Sequence, residues 1–255
     1  MIIALPPSEG KTAPESASAR PAPLDGLTFP ELTEARAEIG QALADLGTGA
    51  AAQNVLKVGP KAAPELAWNL AHGAGVSPDD GAAAHAVYTG VLFAAAELPG
   101  PASPCPVWIF SGRYGVVQPG DVIAPYRLPA AAKLPEIGPV ATWWKPRLAP
   151  VLDTAACAHS LVLDCRSGPY QRMWTVPAPL TRIEVKAARQ RAGTRTVVSH
   201  MAKHYRGELT RLLLASGQDF RDPSQVAAVA SAGGLTVELD DAGPRHVILT
   251  VVVQD

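Results

Sequence analysis

The sequence has little of what marks several common protein classes. Its 255 residues hold three cysteines, Cys105, Cys157 and Cys165, with no C-x-x-C pair, which disfavours a disulfide framework or a cysteine zinc site and favours buried thiols. No apolar run reaches the roughly 20 residues that a membrane span needs, and the first residues lack the basic start and long apolar core of a signal peptide. We therefore expect a soluble, cytoplasmic protein without membrane partners.

The chain also lacks a net excess of charge. Its net charge of −1 argues against a wholly basic nucleic-acid coat, although a local basic patch fits inside a balanced total. The apolar fraction of 47% is ordinary for a globular protein and supplies a sizeable core. Length alone allows either two small domains or one α/β domain.

Strand and helix patterns alternate along the chain, with no internal repeat. Apolar or alternating runs predict strands at 2–5, 107–110, 160–164, 181–186, 194–200, 235–239 and 246–253, the last two forming a C-terminal β-hairpin. Helical spacing with Gly or Pro boundaries predicts helices at 33–46, 59–70, 82–97, 142–152, 204–216 and 224–232. Interleaved strands and helices are typical of an α/β (mixed α+β) fold with helices flanking a mixed sheet.

The segment from Phe110 to Arg127 is the most informative stretch for function. An apolar strand leads into Gly112-Arg113-Tyr114-Gly115, a pattern typical of a tight loop that exposes backbone N–H groups. Asp121, Tyr126 and Arg127 return polar groups to the same predicted edge. Donors, an aromatic plane and a guanidinium suit a flat, anionic ligand such as a nucleotide or base.

The loop after the first strand carries a second candidate site. Gly10-Lys11-Thr12 resembles the end of a Walker loop, but Leu5 stands where its first glycine belongs, and prolines at 6 and 7 lack the N–H groups that such a loop aims at phosphate. A true P-loop is therefore disfavoured. Ser8, Lys11 and Thr12 remain a slightly favoured ligand set beside a strand end, against the alternative of a solvated loop.

A basic strip runs from Thr181 to Arg211. It holds two acidic residues, Glu184 and Glu208, against eight basic ones: Arg182, Lys186, Arg189, Arg191, Arg195, Lys203, Arg206 and Arg211. The three at 189, 191 and 195 are predicted in a turn that reaches phosphates, while Lys203 and Arg206 lie at the start of a helix. A solvated basic face is the alternative.

Histidines and tyrosines supply weaker signals. His200 and His204 have the i, i+4 spacing of metal ligands, but no third ligand is evident beyond Glu208, so we expect neither a metal nor a cofactor. Tyr88 and Tyr114 each lie beside a glycine, and we expect their ring faces to be accessible for stacking.

Several motifs occur together in a specific order. They are Pro-Pro-Ser-Glu-Gly-Lys-Thr at 6–12, Val-Tyr-Thr-Gly at 87–90, Ser-Gly-Arg-Tyr-Gly-Val-Val-Gln-Pro at 111–119, Ile-Ala-Pro-Tyr-Arg-Leu at 123–128 and Lys-His-Tyr-Arg-Gly at 203–207. With Tyr170, this series covers nearly the whole chain and resembles the YaaA family of bacterial peroxide-stress proteins.

The resemblance implies one domain over residues 1–255 with a DNA-binding cleft and a helix-hairpin-helix-like element, for which 212–219 and the following helix are compatible. Gly217 serves equally well as a helix cap, and Asp219 would repel phosphate. The implied role is limiting oxidative DNA damage and free iron. The chain departs from the family at 166–169, where acidic character is common, and at His204, where a basic residue is common. A specialised biosynthetic relative would fit these departures.

Two functions follow from these patterns, and a purely structural scaffold is disfavoured. The first is a DNA- or nucleotide-binding stress protein whose anionic ligand contacts Ser8, Lys11, Thr12, Tyr88, Arg127, Lys203, His204 and Arg206, with Arg113 also neutralising phosphate. The second is an enzyme acting on a nucleobase, nucleoside or related heterocycle, for example by cleaving an N-glycosidic bond. Its predicted catalytic residues are Lys11, Arg113, Tyr114 and Asp121, with Glu9 as the alternative acid or base.

Overall fold

The computed structural model describes residues 1–15, 17–73, 80–100, 102–191, 194–197 and 199–254, with side chains described outside 190–200 and 254. The α-helices are α1 Thr33–Asp45, α2 Ala50–Leu56, α3 Ala84–Val87, α4 Val91–Ala96, α5 Val140–Ala156, α6 Gly168–Gln171, α7 Ser199–Ala215 and α8 Pro223–Ala232. Two 3-10 helices span Pro30–Leu32 and Pro60–His72. In the described part of the chain, no helix is long and apolar enough to cross a membrane.

The strands are β1 Ile2–Leu5, β2 Ala82–Ala83, β3 Val107–Ser111, β4 Gly115–Val117, β5 Val122–Ile123, β6 Lys133–Leu134, β7 Gly138–Pro139, β8 Leu161–Asp164, β9 Thr181–Arg191, β10 Thr194–Val197, β11 Val237–Gly243 and β12 His246–Gln254. The main sheet has the order β11-β12-β9-β8-β1-β3-β4, with β10 paired to β9. Its central strands β12, β9, β8, β1 and β3 are parallel, and β11, β4 and β10 are antiparallel to their neighbours.

Strand β1 lies between β8 and β3 in the interior of the sheet. All four of its residues are buried, as expected for a parallel strand covered on both faces. In the main sheet the chain goes from β1 to β3 on one side, and from β8 to β9 on the opposite side. The loops after β1 and β8 therefore leave in different directions at the carboxyl ends of the strands, which opens a crevice typical of ligand sites in α/β sheets.

The mixed α/β fold and the C-terminal hairpin are confirmed, since β11 and β12 pair antiparallel. The helix predicted over 82–97 is wrong in part: Gly90, at φ +104°, separates α3 from α4, and β2 pairs with β5. The helix predicted at 59–70 is the 3-10 helix Pro60–His72, which contains Pro64. Helix α2 was missed, and the turn predicted to hold Arg189, Arg191 and Arg195 is instead the hairpin of β9 and β10.

Candidate functional site

A cavity of about 370 Å³ lies beside the crevice between β1 and β8. We call it the Lys11 cavity; it is lined by Ser8, Glu9 and Lys11, residues 55–59, Ala62, residues 127–129 and 131–132, and Tyr170. Thus the loop after β1 supplies one wall and α6, after β8, supplies another. The other walls come from α2 with the start of the 3-10 helix that follows it, and from the segment 127–132.

Lys11 is the central polar group of this cavity. Its Nζ donates a hydrogen bond to the carbonyl of Ser8 at 2.9 Å, and it lies 4.3 Å from the ring centroid of Tyr126 and 5.5 Å from that of Tyr88. Among the described residues it forms no ion pair with a carboxylate. Burial lowers the pKa of Lys11 to about 7, and the positive charge of Arg127 acts in the same direction. A large fraction of this lysine is therefore neutral near pH 7.

Beneath the ammonium lies a chain of buried hydroxyl groups. The Tyr88 and Tyr126 hydroxyls are 3.0 Å apart, and Ser111 Oγ is 2.7 Å from that of Tyr126. Ser111 Oγ also accepts the backbone N–H groups of residues 113 and 114, at 3.2 and 3.0 Å. With its lone pairs occupied, the serine donates to Tyr126. Burial raises the pKa of both tyrosines above its ordinary value, so these hydroxyl groups are uncharged near neutral pH.

Arg127 also lines the cavity, and its positive charge is paired with the Glu65 carboxylate. Its Nε donates to Glu65 Oε2 at 2.5 Å and its Nη1 donates to the Glu9 carbonyl at 2.7 Å. Its backbone N–H donates to Asn69 Oδ1 at 2.8 Å. These contacts fix Arg127 between the loop after β1 and the 3-10 helix. Glu65 and Asn69 were not predicted, because nothing in their sequence neighbourhood marks them as partners of a residue some 60 positions away.

The other members of the predicted loop after β1 lie close by. Ser8 Oγ accepts the backbone N–H of Thr89 at 3.0 Å and donates to the carbonyl of Gly10, so it lies in the cavity wall with its hydroxyl already bonded. Thr12 is exposed, its N–H donates to the carbonyl of Val87 at 3.0 Å, and it does not line the cavity. Glu9 is exposed at the cavity mouth.

The expectation that the rings of Tyr88 and Tyr114 are accessible is wrong: each residue is 1% exposed. The glycines beside Tyr114 serve close packing instead, since a Cβ at Gly112 would lie 2.3 Å from the Leu128 carbonyl oxygen. The Tyr114 hydroxyl is 3.1 Å from both the N and the O of Ala124. Tyr114 therefore fixes its own segment in the core.

Arg113 and Asp121 also lie outside the Lys11 cavity. Arg113 is 1% exposed and donates through Nη1 to the carbonyl of Arg36 at 2.7 Å. Asp121 accepts the N–H and hydroxyl of Thr28 at 3.1 and 2.9 Å, and the N–H of Gln118 at 2.8 Å. Both residues tie segment 110–127 to the region around α1. Their predicted catalytic roles have no support from this placement.

Arg36, a buried arginine that the sequence analysis did not predict, also connects segment 110–127 to α1. Arg36 is 0% exposed and donates to the carbonyls of Tyr114, Val116 and Thr28 at 3.0, 3.0 and 2.7 Å. The sequence pattern indicated that Arg36 is buried, because Arg36 falls on the same face of α1 as the buried Ile39 and Leu43.

The basic strip is separate from the Lys11 cavity. Lys203 and His204 are exposed on α7, while Arg206 donates Nε and Nη2 to the carbonyl of Val185 at 3.2 and 2.9 Å. None of the three lines the cavity. The side chains of Arg191, Arg195 and His200 lie outside the described residues, so the spacing of His200 and His204 is not tested. Within the described ranges, no three His, Cys, Asp or Glu side chains are grouped as a metal site.

Helices α7 and α8 are joined by a turn with Gly217 at φ +62°. Asp219 in this turn accepts a hydrogen bond from the N-terminal ammonium of Met1 at 3.0 Å and pairs with Arg221 at 2.8 Å. The turn is thus anchored to β1. A helix-hairpin-helix role in DNA binding stays a prediction.

Comparisons with known proteins agree on one family over nearly the whole chain. The family described as "Peroxide stress protein YaaA" matches residues 1–238. A UPF0246 protein of Corynebacterium efficiens is 39% identical over 260 residues, which cover 99% of this chain and 100% of that protein. A UPF0246 protein of Streptomyces coelicolor is 35% identical over 271 residues, which cover 100% of this chain and 99% of that protein. The chain therefore belongs to the peroxide stress protein YaaA family.

Proposed function

We propose that this chain binds nucleic acid or nucleotide units as part of a peroxide stress response, and that the Lys11 cavity receives the nucleotide. The observation that carries the proposal is a lysine ammonium without a carboxylate partner, among the described residues, in a cavity at the switch point of the sheet. A phosphate there gains a charge-assisted contact. The physiological effect would be protection of DNA from oxidative damage and limitation of free iron.

The rest of the cavity suits a nucleotide-sized ligand. A volume of about 370 Å³ falls within the roughly 300–1,000 Å³ of typical ligand pockets. The apolar side chains of Val55, Val58 and Leu128 offer a surface for a base or sugar, while Lys11 and Arg127 face anionic groups.

Longer nucleic acid would also contact α7. Lys203 and His204 are exposed there and would approach phosphates without reading sequence, although His204 Nε2 also lies 3.5 Å from Glu208 Oε2. Arg206 is bonded to the Val185 carbonyl, so it positions α7 against β9.

The nucleotide proposal is tested by titrating the protein with nucleoside monophosphates and following its tryptophan fluorescence or the heat of binding. Lys11→Gln is expected to weaken binding about tenfold or more, because a charge-assisted contact is lost. Lys61→Gln, at an exposed lysine that is outside the direct contacts described above, is the matched control. Equal affinities for the wild type and Lys11→Gln would contradict the proposal.

The nucleic-acid contact is tested by measuring DNA affinity against salt concentration. Binding is expected to weaken steeply as salt rises, and Lys203→Gln is expected to reduce the slope by about one counterion. An affinity that does not change with salt would contradict phosphate binding by α7.

A second candidate function is an enzyme acting on a nucleoside or related heterocycle, for example by cleaving an N-glycosidic bond. It is favoured by one observation: the pKa of Lys11 is lowered to about 7, chiefly by burial, in a cavity. A neutral Lys11 amine would act as the base that takes a proton from the attacking water.

The enzymatic candidate is tested by incubating the protein with nucleosides and nucleotides and separating any free base by chromatography. Turnover is expected to rise with pH through about 7 as Lys11 loses its proton, and to be lost in Lys11→Gln. Absence of product between roughly pH 6 and 9 would leave binding alone.

A further inference from the structure

A second cavity, of about 360 Å³, lies over the last residue of β8 and the first residues of β9 and β12. We call it the Arg182 cavity. Its lining includes Asp164, Arg166, Trp174, Arg182, Arg245 and His246. Tyr170 lines the Lys11 cavity and its neighbour Gln171 lines this one, so α6 separates the two.

The acidic group in the Arg182 cavity is fully compensated. Asp164 is 0% exposed and accepts hydrogen bonds from Arg166 Nε at 2.8 Å and Nη2 at 3.0 Å, and from Arg182 Nε at 2.8 Å. Burial alone would raise the pKa of Asp164, but the charges and hydrogen bonds of the two arginines outweigh it and lower the pKa. The carboxylate is therefore ionised and unavailable to a ligand as an acceptor partner.

Positive charge remains after this pairing. Glu184 is the nearest further carboxylate: its Oε2 lies 3.6 Å from Arg182 Nη2 and 3.0 Å from His246 Nε2, and its Oε1 lies 3.9 Å from Lys186 Nζ. Three arginines, at 166, 182 and 245, thus face two carboxylates, at 164 and 184, before His246 or Lys186 is counted. Arg182 Nη2 is buried and has no hydrogen-bond partner among the described residues.

The position of Arg245 is a second observation. It lies in the turn between β11 and β12 at φ +58°, a region that favours glycine or asparagine. Its carbonyl accepts the backbone N–H of Arg182 at 2.9 Å, which holds the turn beside the cavity. An exposed arginine in this conformation costs stability and places a guanidinium at the cavity mouth.

We propose that the Arg182 cavity binds a small organic phosphate, with the phosphate held by the Arg245 guanidinium at the mouth and by the part of Arg182 that is exposed, 25% of its side chain. Two guanidinium groups at one opening match a dianion. The carbon portion of the ligand packs on Val176, Leu180 and Pro244, which form the apolar part of the wall. This site is distinct from the Lys11 cavity and does not depend on the function proposed for it.

The experiment is calorimetric titration with glycerol 3-phosphate, with inorganic phosphate and glycerate as comparison probes. We expect glycerol 3-phosphate to bind, glycerate to bind at least tenfold more weakly, and Arg245→Gln to lower the phosphate affinity about tenfold or more. Arg172→Gln, at an exposed arginine outside both cavities, is the matched control and should bind as the wild type does.

A second variant separates a ligand role from a structural one. Arg245→Gly is expected to lose the same affinity while its unfolding midpoint in urea stays equal or rises, because glycine adopts positive φ without strain. Unchanged phosphate affinity in both Arg245 variants would overturn the proposal. Equal affinity for glycerate would overturn the phosphate assignment, and loss of binding only in Lys11→Gln would place the phosphate in the Lys11 cavity instead.

Discussion

Replacing Lys11 by methionine is expected to stabilise the protein below pH 7, and the gain should shrink as pH rises. Methionine keeps an unbranched side chain over Tyr126 but removes an ammonium that burial disfavours. The difference between the ordinary pKa of 10.5 and about 7 corresponds to about 5 kcal/mol at about 1.4 kcal/mol per pH unit. Lys11 reaches the water of the cavity, which screens part of this cost, so we expect a gain of about 2–5 kcal/mol.

The direction of this pH dependence follows from the protons that the folded and unfolded chains bind. Between pH 7 and 10.5 the unfolded chain holds a proton on Lys11 that the folded chain has lost, so wild-type stability rises with pH across that window. Below pH 7 both states are protonated and the full penalty is present. The lost hydrogen bond to the Ser8 carbonyl adds an offset of about 1 kcal/mol against the variant, which changes little with pH.

The assay is urea unfolding of both proteins at several values from about pH 6 to 9.5. The stability difference should be largest at the acid end and fall by up to about 1.4 kcal/mol per pH unit above 7. Lys61→Met, at an exposed lysine, should give a difference that does not depend on pH. A flat difference for Lys11→Met, or one that grows with pH, would refute the account of a buried ammonium.

Three further variants test the packing around the two cavities. Asp164→Asn leaves Arg166 buried beside a neutral amide and should lower the free energy of unfolding by about 3–5 kcal/mol. Because folding lowers the pKa of Asp164, this cost shrinks as the pH falls through the folded-state pKa. Asp25→Asn, at an exposed aspartate, is the control. Gly112→Ala places a Cβ 2.3 Å from the Leu128 carbonyl oxygen and should cost about 3 kcal/mol, whereas Gly120→Ala, with open space around it, should change the unfolding free energy little. Tyr126→Phe leaves the Ser111 hydroxyl without its acceptor and should cost about 1–3 kcal/mol, measured by the same urea unfolding.

Much of the fold could be predicted because its strands are short, apolar and well separated. Ile2–Leu5 and Leu161–Asp164 were found within one residue, since parallel central strands are apolar on both faces. The pairing of these two strands could not be predicted, because it joins residues more than 150 positions apart and leaves no local pattern.

The candidate site was predicted only in part, because only some of its residues have a local sequence pattern. Lys11 and Ser8 follow a strand end, a position that α/β sheets use for ligands, so a local pattern sufficed for them. Glu65 lies on a 3-10 helix and meets Arg127, which lines the cavity, only in the folded chain. A lone glutamate in a helical segment carries no signal that separates this role from solvation.

The segment from Phe110 to Arg127 shows why a polar, glycine-rich stretch is ambiguous. Glycines flanking Arg and Tyr are needed both where backbone approaches a ligand and where backbone approaches other backbone, and here Gly112 lies against Leu128. The buried face of α1 distinguishes the two cases. Arg36 lies on that face, and its guanidinium donates hydrogen bonds to the carbonyls of Tyr114 and Val116. Segment 110–127 still contributes to the candidate site through contacts: Ser111 donates to the Tyr126 hydroxyl, and the Tyr126 ring centroid lies 4.3 Å from the Lys11 ammonium. A cation over an aromatic face is attracted to it but gains no proton acceptor, so this packing positions Lys11 without restoring its ordinary pKa.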